Sequence, residues 1–588
     1  MKIRLFVGVM MTAAASVAGV DPCVRTFVAP TRVVWRTEPS AGFTGRCAAE
    51  DAEALLSAKR GQVPETGFSG RHAKACRLEN KGNAAGIILD FGRELHGGLQ
   101  LGVGARSSRL MRVRIRFGES VAETCSDALS CDRGASNDHA LRDFELPLPV
   151  MGTIEVGNTG YRFVRLDLVT AGTLLLESVR AIELKRPMER LGSFKSSDER
   201  LNRVFETAVR TVHLCCQDYL WDGIKRDRLV WMGDTHPEVM TVMGVFGAAE
   251  VIPESLDYMA ATTDPEREWM NGMGPYTLWW VRNVAEWYRF TGDRTWLRGH
   301  RDYLSATLRR LAGHVTASNT FEGVTRPFLD WPTEHNRPAV FAGMQGLAVL
   351  AFEEGAFLSD ALGEGELVRI CRDSAARLRR QSPPDPSGAK SAAAILALSG
   401  LRTPAEMYAD VLGRKGHEDV STFYGYYMLE AMSAAGENRR ALDTVRDYWG
   451  AMLDVGATTF WENFQLSWTN NCFRIDEMPV AGKKDVHGDY GEFCYPGYRH
   501  SLCHGWSCGP AIWLIRHVLG IRPLDVGCRT IEITPDLCGL AWAEGSMALP
   551  DGRKIAVKVR RRDDGKPDVS IDSPAGVRVI APKTDDRE

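Results

Sequence analysis

The sequence has almost no excess of either charge. Its 588 residues include 72 Lys and Arg against 75 Asp and Glu, which gives a formal net charge of −3. A protein without a basic field has little to attract phosphate backbones, so the composition argues against nucleic acid as a partner. With 44% hydrophobic and 25% charged residues, the chain has the composition of a folded globular protein rather than a disordered one.

Cysteine is sparse and is not spaced for metal binding. The 14 cysteines are far below the density of a disulfide scaffold, and no CxxC followed by a second CxxC occurs. This spacing gives no support for a structural zinc site. No metal-binding or cofactor-binding residues are predicted, and a structural calcium ion is left open. Cys125 and Cys131 flank a short polar loop and are the best candidates for a local disulfide. Cys215 and Cys216 fall in an apolar helical pattern and are predicted to be buried.

Long hydrophobic runs are missing as well, which argues against membrane insertion. After the N-terminus no stretch reaches roughly 18 uninterrupted apolar residues. At the N-terminus, Lys2 and Arg4 precede an apolar run that ends in small residues up to Ala18. This pattern predicts a signal peptide over residues 1–18 and a periplasmic or secreted protein, with an N-terminal core strand as the alternative.

Residues 22–188 have the pattern of β-strands. Residues 112–117 (RVRIRF) and 161–169 (YRFVRLDLV) alternate polar and apolar side chains. Glycines at 92, 97, 98, 102 and 104 are typical of turns in a β-sandwich. This region has no cluster of acids beside aromatics, and we predict that it supports the neighbouring domain without carrying chemistry.

Residues 189–522 change to a helical period. Apolar residues from Leu201 to Val212 follow one helix face, with a cap expected among residues 196–198. Further stripes occur over 234–261, 276–291, 294–315, 338–363, 365–381, 389–400, 403–415, 421–434, 437–455 and 507–519. About eleven or twelve helices with short connections predict an (α/α)6 toroid of six helical hairpins. A solenoid is the alternative, although no fixed repeat supports it.

Residues 523–588 return to short strands, with Asp-Gly turns at 551 and 564. They predict a small C-terminal β-sandwich domain. The whole chain is thus predicted to be a multidomain protein in which a toroid lies between two β-domains.

The densest polar and aromatic cluster is residues 221–234 (WDGIKRDRLVWMGD). Its acids Asp222, Asp227 and Asp234 match no metal-ligand spacing, and the interleaved cations would oppose a divalent ion. A charged turn with internal ion pairs is the simplest interpretation. The flanking tryptophans also allow a desolvated acid that holds its proton near neutral pH.

A second segment, residues 456–464 (GATTFWENF), places Glu462 directly after Trp461. A single acid carries little information. Asp227 and Glu462 lie so far apart in the sequence that only a closed barrel would bring them together. Taken alone, each is more typical of a structural residue than of a catalytic one.

Together these segments resemble glycoside hydrolase family 78, the bacterial α-L-rhamnosidases. The spacing of Asp222, Asp227 and Asp234 is similar to the acidic signature of that family, and GATTFWENF resembles the segment that carries its general base. Residues 328–331 (FLDW) and 501–510 (SLCHGWSCGP) also match, so the resemblance runs from about residue 92 to 534. Many family members have Glu where this chain has Asp227.

The resemblance implies an inverting glycoside hydrolase with an (α/α)6 catalytic domain that releases terminal α-L-rhamnose or a similar deoxysugar from a carbohydrate substrate. Asp227 would be the general acid and Glu462 the general base, facing each other across the mouth of the barrel. The substrate-binding residues expected around them are Asp222, Asp234, Trp231, Trp279, Asp330, Trp331, His504 and Trp506.

Two other functions remain open from the sequence. A polysaccharide lyase acting on a rhamnose-uronate linkage needs a base and cations beside a carboxylate, for which Arg226, Arg228 and His504 are available. A glycan-binding protein without activity is the third possibility. The presence of both Asp227 and Glu462 argues against it.

Overall fold

The structure is a computed structural model that describes residues 21–38, 48–57, 75–381, 384–491, 495–562 and 564–581. The predicted signal peptide, residues 1–18, lies outside the described residues.

The N-terminal region is built from one antiparallel sheet with its own hydrophobic core. Its nine strands are β1 (Val24–Val28), β2 (Arg32–Arg36), β3 (Ala48–Glu50), β4 (Cys76–Asn80), β5 (Ala85–Arg106), β6 (Arg112–Gly118), β7 (Asp143–Pro147), β8 (Gly152–Leu168) and β9 (Gly172–Lys185). The order is β3-β4-β9-β5-β8-β6-β7, with β1 paired to β9 and β2 to β5. The two alternating segments of the sequence analysis lie in β6 and β8, as predicted.

The glycines that were expected to mark turns lie inside the long strand β5, so that prediction is wrong. This strand pairs with β8 on one side and with β9 on the other, and its register with β8 shifts between Gly97 and Leu99. A Cβ at Gly98 would lie 2.7 Å from the carbonyl oxygen of Val156. The glycines therefore permit a close approach of neighbouring backbones and a bulge, which are the other common reasons for glycine in a strand.

We predict that Gly98→Ala destabilises the protein by about 1 to 3 kcal/mol, because the methyl group would meet two backbone carbonyls that cannot move independently. Gly313→Ala is the control, since no atom lies within 4 Å of a Cβ built there. Urea unfolding of both variants measures the difference. Equal stabilities would contradict the packing argument.

The helical region follows the predicted stripes closely. After the short α1 (Val121–Thr124) in the β region, the helices are α2 (Glu199–Cys215), α3 (Thr235–Phe246), α4 (Val251–Thr262), α5 (Gly274–Thr291), α6 (Arg294–Gly299), α7 (Arg301–Gly313), α8 (Arg337–Leu362), α9 (Gly365–Arg379), α10 (Lys390–Leu398), α11 (Pro404–Met407), α12 (Gly425–Ala434), α13 (Asn438–Thr444), α14 (Gly450–Asp454) and α15 (Gly509–Trp513). Short π-helical turns extend α11, α13 and α15. Asp198 caps α2 by accepting hydrogen bonds from the amides of Arg200 and Leu201.

Some of the predicted stripes correspond to two helices. Gly247 adopts a φ of +77° and ends α3, so the stripe over 234–261 is divided between α3 and α4. The last helices return to the first, because α15 packs against α2 and α3 and α14 packs against α2.

Helix α8 is long and apolar enough to cross a membrane by length and composition alone. However, 78% of its most apolar window is buried inside the protein, where it packs against α5, α9 and α10. Its composition is accounted for by this central position.

The C-terminal β region includes a strand from much earlier in the chain. Its strands are β10 (Ser193–Ser196), β13 (Ile521–Pro523), β14 (Thr530–Ile533), β15 (Trp542–Ala548), β16 (Lys554–Arg561), β17 (Pro567–Asp572) and β18 (Arg578–Ile580), while β11 (Cys472–Phe473) and β12 (Lys484–Asp485) pair within a long loop. One sheet has the order β10-β15-β16-β17 and the other β13-β14-β18. The first sheet thus joins the two ends of the helical region.

All described cysteines are free thiols. The predicted disulfide between Cys125 and Cys131 is therefore wrong. Cys131 is exposed in a left-handed conformation, whereas the sulfur of Cys125 accepts a hydrogen bond from Arg165 at 3.6 Å. Cys215 and Cys216 are fully buried, as predicted.

Candidate functional site

A cavity of about 650 Å³ opens where the loops between the helices meet. Eight of the ten predicted site residues line it: Asp222, Asp227, Trp231, Asp234, Trp331, Glu462, His504 and Trp506. The structure therefore brings together segments that are far apart in the sequence, including both proposed catalytic acids.

The segment between α2 and α3 forms a tight turn with Asp227 near its tip. The amide of Asp222 donates to the carbonyl of Leu229 at 3.0 Å, and the Asp222 carboxylate accepts from the amide of Leu229 at 3.0 Å. Between them, Asp227 and Arg228 have left-handed φ values of +51° and +56°. Two consecutive residues in this region are costly without glycine, and such strain is characteristic of functional sites.

Arg226 connects the two proposed catalytic carboxylates. Its Nη2 donates to Oε2 of Glu462, and its Nη1 lies 3.2 Å from Oδ1 of Asp227. The guanidinium also donates to the carbonyl of Arg499 at 3.0 Å and lies over the ring of Tyr495, with Cζ 3.9 Å from the ring centroid. The carboxylates of Glu462 and Asp227 raise the pKa of Arg226 above its ordinary value, so this side chain stays positively charged.

Two further groups hold Asp227. The indole nitrogen of Trp231 donates to Oδ2 of Asp227 at 3.1 Å. His139 accepts from the Asp227 amide at 3.3 Å through Nδ1, and its Nε2 lies 3.5 Å from Oδ1. His139 belongs to the N-terminal β region, so this region contacts the proposed acid directly, and the prediction that it supports the neighbouring domain without carrying chemistry stays a prediction. A lone histidine in a polar loop gave no sequence signal.

The floor of the cavity consists of Asp222, Asp234 and His504, all buried. Burial and the charge of neighbouring carboxylates raise the pKa of Asp222 and Asp234 well above the ordinary range, although a 2.7 Å hydrogen bond from Tyr276 opposes the shift at Asp234. Burial, with Arg226 nearby, lowers the pKa of His504 well below its ordinary value. Neutral acids and a neutral imidazole both donate and accept hydrogen bonds, which suits hydroxyl groups better than ions.

Glu462 is fixed by its backbone as well as by Arg226. Its carbonyl accepts hydrogen bonds from Trp506 Nε1 at 3.0 Å and from Thr422 Oγ1 at 2.6 Å. Trp506 in turn stacks on Phe423, with ring centroids 4.7 Å apart and planes within 5°. The acid therefore has a rigid position at the wall of the cavity.

Trp279 and Asp330 do not line the cavity, so the prediction of a substrate contact is wrong for both. Trp279 is 1% exposed and stacks on Tyr427 at 5.0 Å between helices. Asp330 caps the short turn Trp331–Thr333, and its burial raises its pKa to about 6. Sequence spacing placed both residues near the site but did not indicate which way their side chains point.

Lys225 attaches this turn to the β region. Its ammonium lies 3.2 Å from Glu119 and 3.0 Å from Glu123, and it donates to the carbonyl of His500 at 3.0 Å. Glu119, Glu123 and His487 are close enough together to hold a metal ion by ligand type. The ammonium already neutralises this cluster, so Lys225 takes the place that a cation would have.

We predict that Lys225→Met lowers the free energy of unfolding by about 3 to 5 kcal/mol, because the buried Glu119 loses its contact with the ammonium and Glu123 keeps only its pair with Arg142. Lys558→Met, at an exposed ion pair with Glu544, should cost less than about 1 kcal/mol. Urea unfolding at pH 7 measures both.

The same comparison depends on pH. Glu123, next to Arg142 and Lys225, has a pKa lowered from 4.5 to about 2, despite its burial. Its contribution to stability is complete above about pH 4.5 and is lost as the pH falls towards 2. The difference in the free energy of unfolding between the wild type and Lys225→Met should become smaller as the pH falls from 4.5 to 2. A difference that stays constant over this range would contradict the assigned ion pair.

The fold agrees with those of solved glycosidases. A rhamnosidase of family GH78 from Bacillus sp. GL1 superimposes with a TM-score of 0.73 at 21% identity, over 91% of this chain and 56% of that protein. A rhamnosidase from Klebsiella oxytoca with rhamnose bound gives 0.65 at 19% identity over 84% and 96%. An α-L-rhamnosidase from Aspergillus terreus gives 0.66 at 19% identity over 84% and 59%. No curated protein matches the chain by sequence.

A family model also matches part of the helical region. Residues 189–346 match the family model of the bacterial α-L-rhamnosidase six-hairpin glycosidase domain. This match confirms, for that part of the chain, the resemblance predicted from the acidic segment. The chain spans 56% of the length of the Bacillus protein.

Proposed function

We propose that the chain is an inverting glycoside hydrolase that releases terminal α-L-rhamnose, or a similar deoxysugar, from glycans or glycosides. Its helical region would form the (α/α)6 toroid between β-domains that the sequence predicts. The observation that carries the proposal is the bridge from Arg226 to both Asp227 and Glu462 in one cavity. The solved rhamnosidases of the same fold support the choice of sugar.

The positions of the two acids suit this chemistry. Because one guanidinium contacts both side chains, Asp227 and Glu462 can face the same glycosidic bond, as a glycosidase with two catalytic carboxyl groups requires. In the proposed mechanism Asp227 protonates the leaving-group oxygen. Glu462, held by Arg226, accepts a proton from the water that attacks the opposite face of the sugar.

The immediate surroundings assign further tasks. Oε2 of Glu462 takes the guanidinium, and no hydrogen bond to its Oε1 occurs among the described residues, which leaves this oxygen for water. Trp231 and His139 orient the acid at Asp227. Asp222, Asp234 and His504 would bind sugar hydroxyls, while Trp506 offers apolar surface to a deoxysugar methyl group.

The lyase alternative is weaker, because the cations it needs are already engaged. Arg226 pairs with two carboxylates, and Arg228 donates to the carbonyls of Asn158 at 3.0 Å and His139 at 2.6 Å.

We also propose export on the basis of residues 2–18. The mass of the mature protein tests cleavage near Ala18.

Hydrolysis of p-nitrophenyl α-L-rhamnoside tests the proposed function. Proton NMR of the first product should detect β-L-rhamnose, because attack by water on the opposite face inverts the anomeric carbon. First formation of the α-anomer would contradict inversion. An unsaturated product with ultraviolet absorbance would indicate the lyase instead.

We predict that Asp227→Asn and Glu462→Gln each lower kcat by at least about 100-fold on a sugar aglycone, since acid or base assistance contributes roughly 10²–10⁴. A nitrophenolate leaving group needs little protonation, so it should partly rescue Asp227→Asn but not Glu462→Gln. Asp227→Glu should keep measurable activity, because many members of the family that the chain resembles have Glu at this position. Measurements of kcat on both substrate types test these differences.

The control is Glu366→Gln, which removes a carboxylate on the outer surface of the helices, 60% exposed and paired with Arg309. Its kcat should stay near that of the wild type. The assigned roles would be wrong if both catalytic variants responded alike to the leaving group, or if azide rescued Glu462→Gln with retention of configuration.

A further inference from the structure

The mouth of the cavity carries a charge pattern that the proposed hydrolysis does not use. The inner part is lined by buried acids and His504. The outer part is lined by the segment of residues 326–337, between α7 and α8, which we call the arginine segment. It presents the exposed side chains of Arg326, His335 and Arg337, with Glu334 as its acid.

Within the part of the chain that the structure describes, the two guanidiniums of the arginine segment have no partner. No hydrogen bond or ion pair engages the side chain of Arg326 or Arg337 there, and neither lies over an aromatic ring. Arg226 and Arg228, at the other side of the same cavity, are both fully engaged. Two unpaired guanidiniums at a cavity mouth create a local field that attracts an anion.

The backbone fixes both arginines. Arg326 adopts a left-handed φ of +47°, which is unusual for a residue with a long side chain. The preceding Thr325 accepts a hydrogen bond from the amide of Gly274 at 2.8 Å, which ties the segment to the start of α5. Arg337 is the first residue of α8, whose cap Asn336 accepts from the amide of Ala339.

An aromatic surface lies in the same segment. The rings of Phe328 and Trp331 are 5.1 Å apart, and both line the cavity. An aromatic face packs against the apolar face of a sugar ring, while a guanidinium binds a carboxylate through two parallel hydrogen bonds. Side by side, these groups suit a sugar that carries a carboxylate.

We propose that the arginine segment forms a subsite for a uronic acid residue, the sugar to which the released deoxysugar is attached. This inference rests on the proposed function. The released sugar occupies the buried inner part, so the rest of the substrate must leave through the mouth, past Arg326 and Arg337. The substrate class is therefore an acidic glycan in which the terminal deoxysugar is linked to a uronate.

The experiment compares two disaccharides that differ only in one group: an α-L-rhamnosyl uronate and its carboxyl-reduced, neutral counterpart. The wild type should favour the uronate by about tenfold in kcat/KM at low salt, mainly through a lower KM. This preference should shrink as salt screens the exposed charges. In the double variant Arg326→Gln/Arg337→Gln, the ratio of the two kcat/KM values should fall to near one.

Arg267→Gln is the matched control, because this arginine is 84% exposed and lies outside the cavity. It should keep the wild-type preference. A sulfated disaccharide of the same linkage distinguishes a carboxylate subsite from a general anion site, and stronger preference for the sulfate would overturn the uronate assignment.

Failure of this inference is distinguishable from failure of the proposed function. The protein could cleave p-nitrophenyl α-L-rhamnoside and could also cleave the two disaccharides with kcat/KM values equal to each other. That result would overturn the subsite and would support the proposed hydrolase activity. A preference that survives in the double variant also overturns the subsite. If no rhamnoside is cleaved, the proposed function and the subsite are both wrong.

Discussion

Two adjacent buried cations, Lys225 and Arg226, hold the site together. Lys225 reaches Glu119 and Glu123 of the N-terminal β region, and Arg226 reaches Glu462 on the far side of the helical region. Both also donate to backbone carbonyls of residues 498–500, near the end of the long loop that connects α14 to α15. Buried charges are costly unless they are paired, so these contacts must form together. The cavity exists only when the β region, the 221–234 turn and the long loop have all assembled.

This constraint changes the role of the N-terminal region. Its backbone approaches the turn so closely that a Cβ at Gly160 would lie 2.9 Å from the amide nitrogen of Lys225. Arg142 donates to the carbonyl of Gly160 at 2.7 Å and pairs with Glu123 at 3.0 Å. His139 then contacts Asp227 itself. The β region therefore sets the position of the proposed acid, and separating it from the helices would remove part of the site.

Local patterns in the sequence predicted most of the fold and the centre of the site. The apolar stripe from Leu201 to Val212 identified α2 because an amphipathic face depends only on neighbouring residues. The acidic segment and the Trp-Glu pair identified Asp227 and Glu462 through resemblance. The glycines of β5 were misinterpreted, because a tight backbone approach and a turn require the same residue. Trp279 and Asp330 were misplaced, since spacing does not give the direction of a side chain.

Contacts over long sequence distances could not be predicted. His139 and Asp227, or Lys225 and Glu119, have no shared pattern in one sequence. Their pairing follows only from the assembled fold, in which a buried charge selects a partner from another region. The interleaved charges of residues 221–234 did indicate internal ion pairs, and Arg226 with Asp227 is one. The second partner of Arg226, Glu462, lies in the segment after α14, which the assembled fold brings to the same cavity.

The shorter acid at position 227 is consistent with this assembly. Many members of the family that this chain resembles have Glu at the position of Asp227. Compared with Glu, Asp places its carboxyl group one methylene closer to the backbone. In this chain the left-handed turn at Asp227 and Arg228 brings the backbone itself to the cavity, and Asp227 remains 15% exposed while Glu462 is 3% exposed. Trp231 and His139 hold the carboxylate from two sides. The backbone conformation thus brings the carboxyl group of Asp227 to the cavity although its side chain is shorter. Arg226, which contacts both acids, holds Asp227 and Glu462 at a fixed distance from each other.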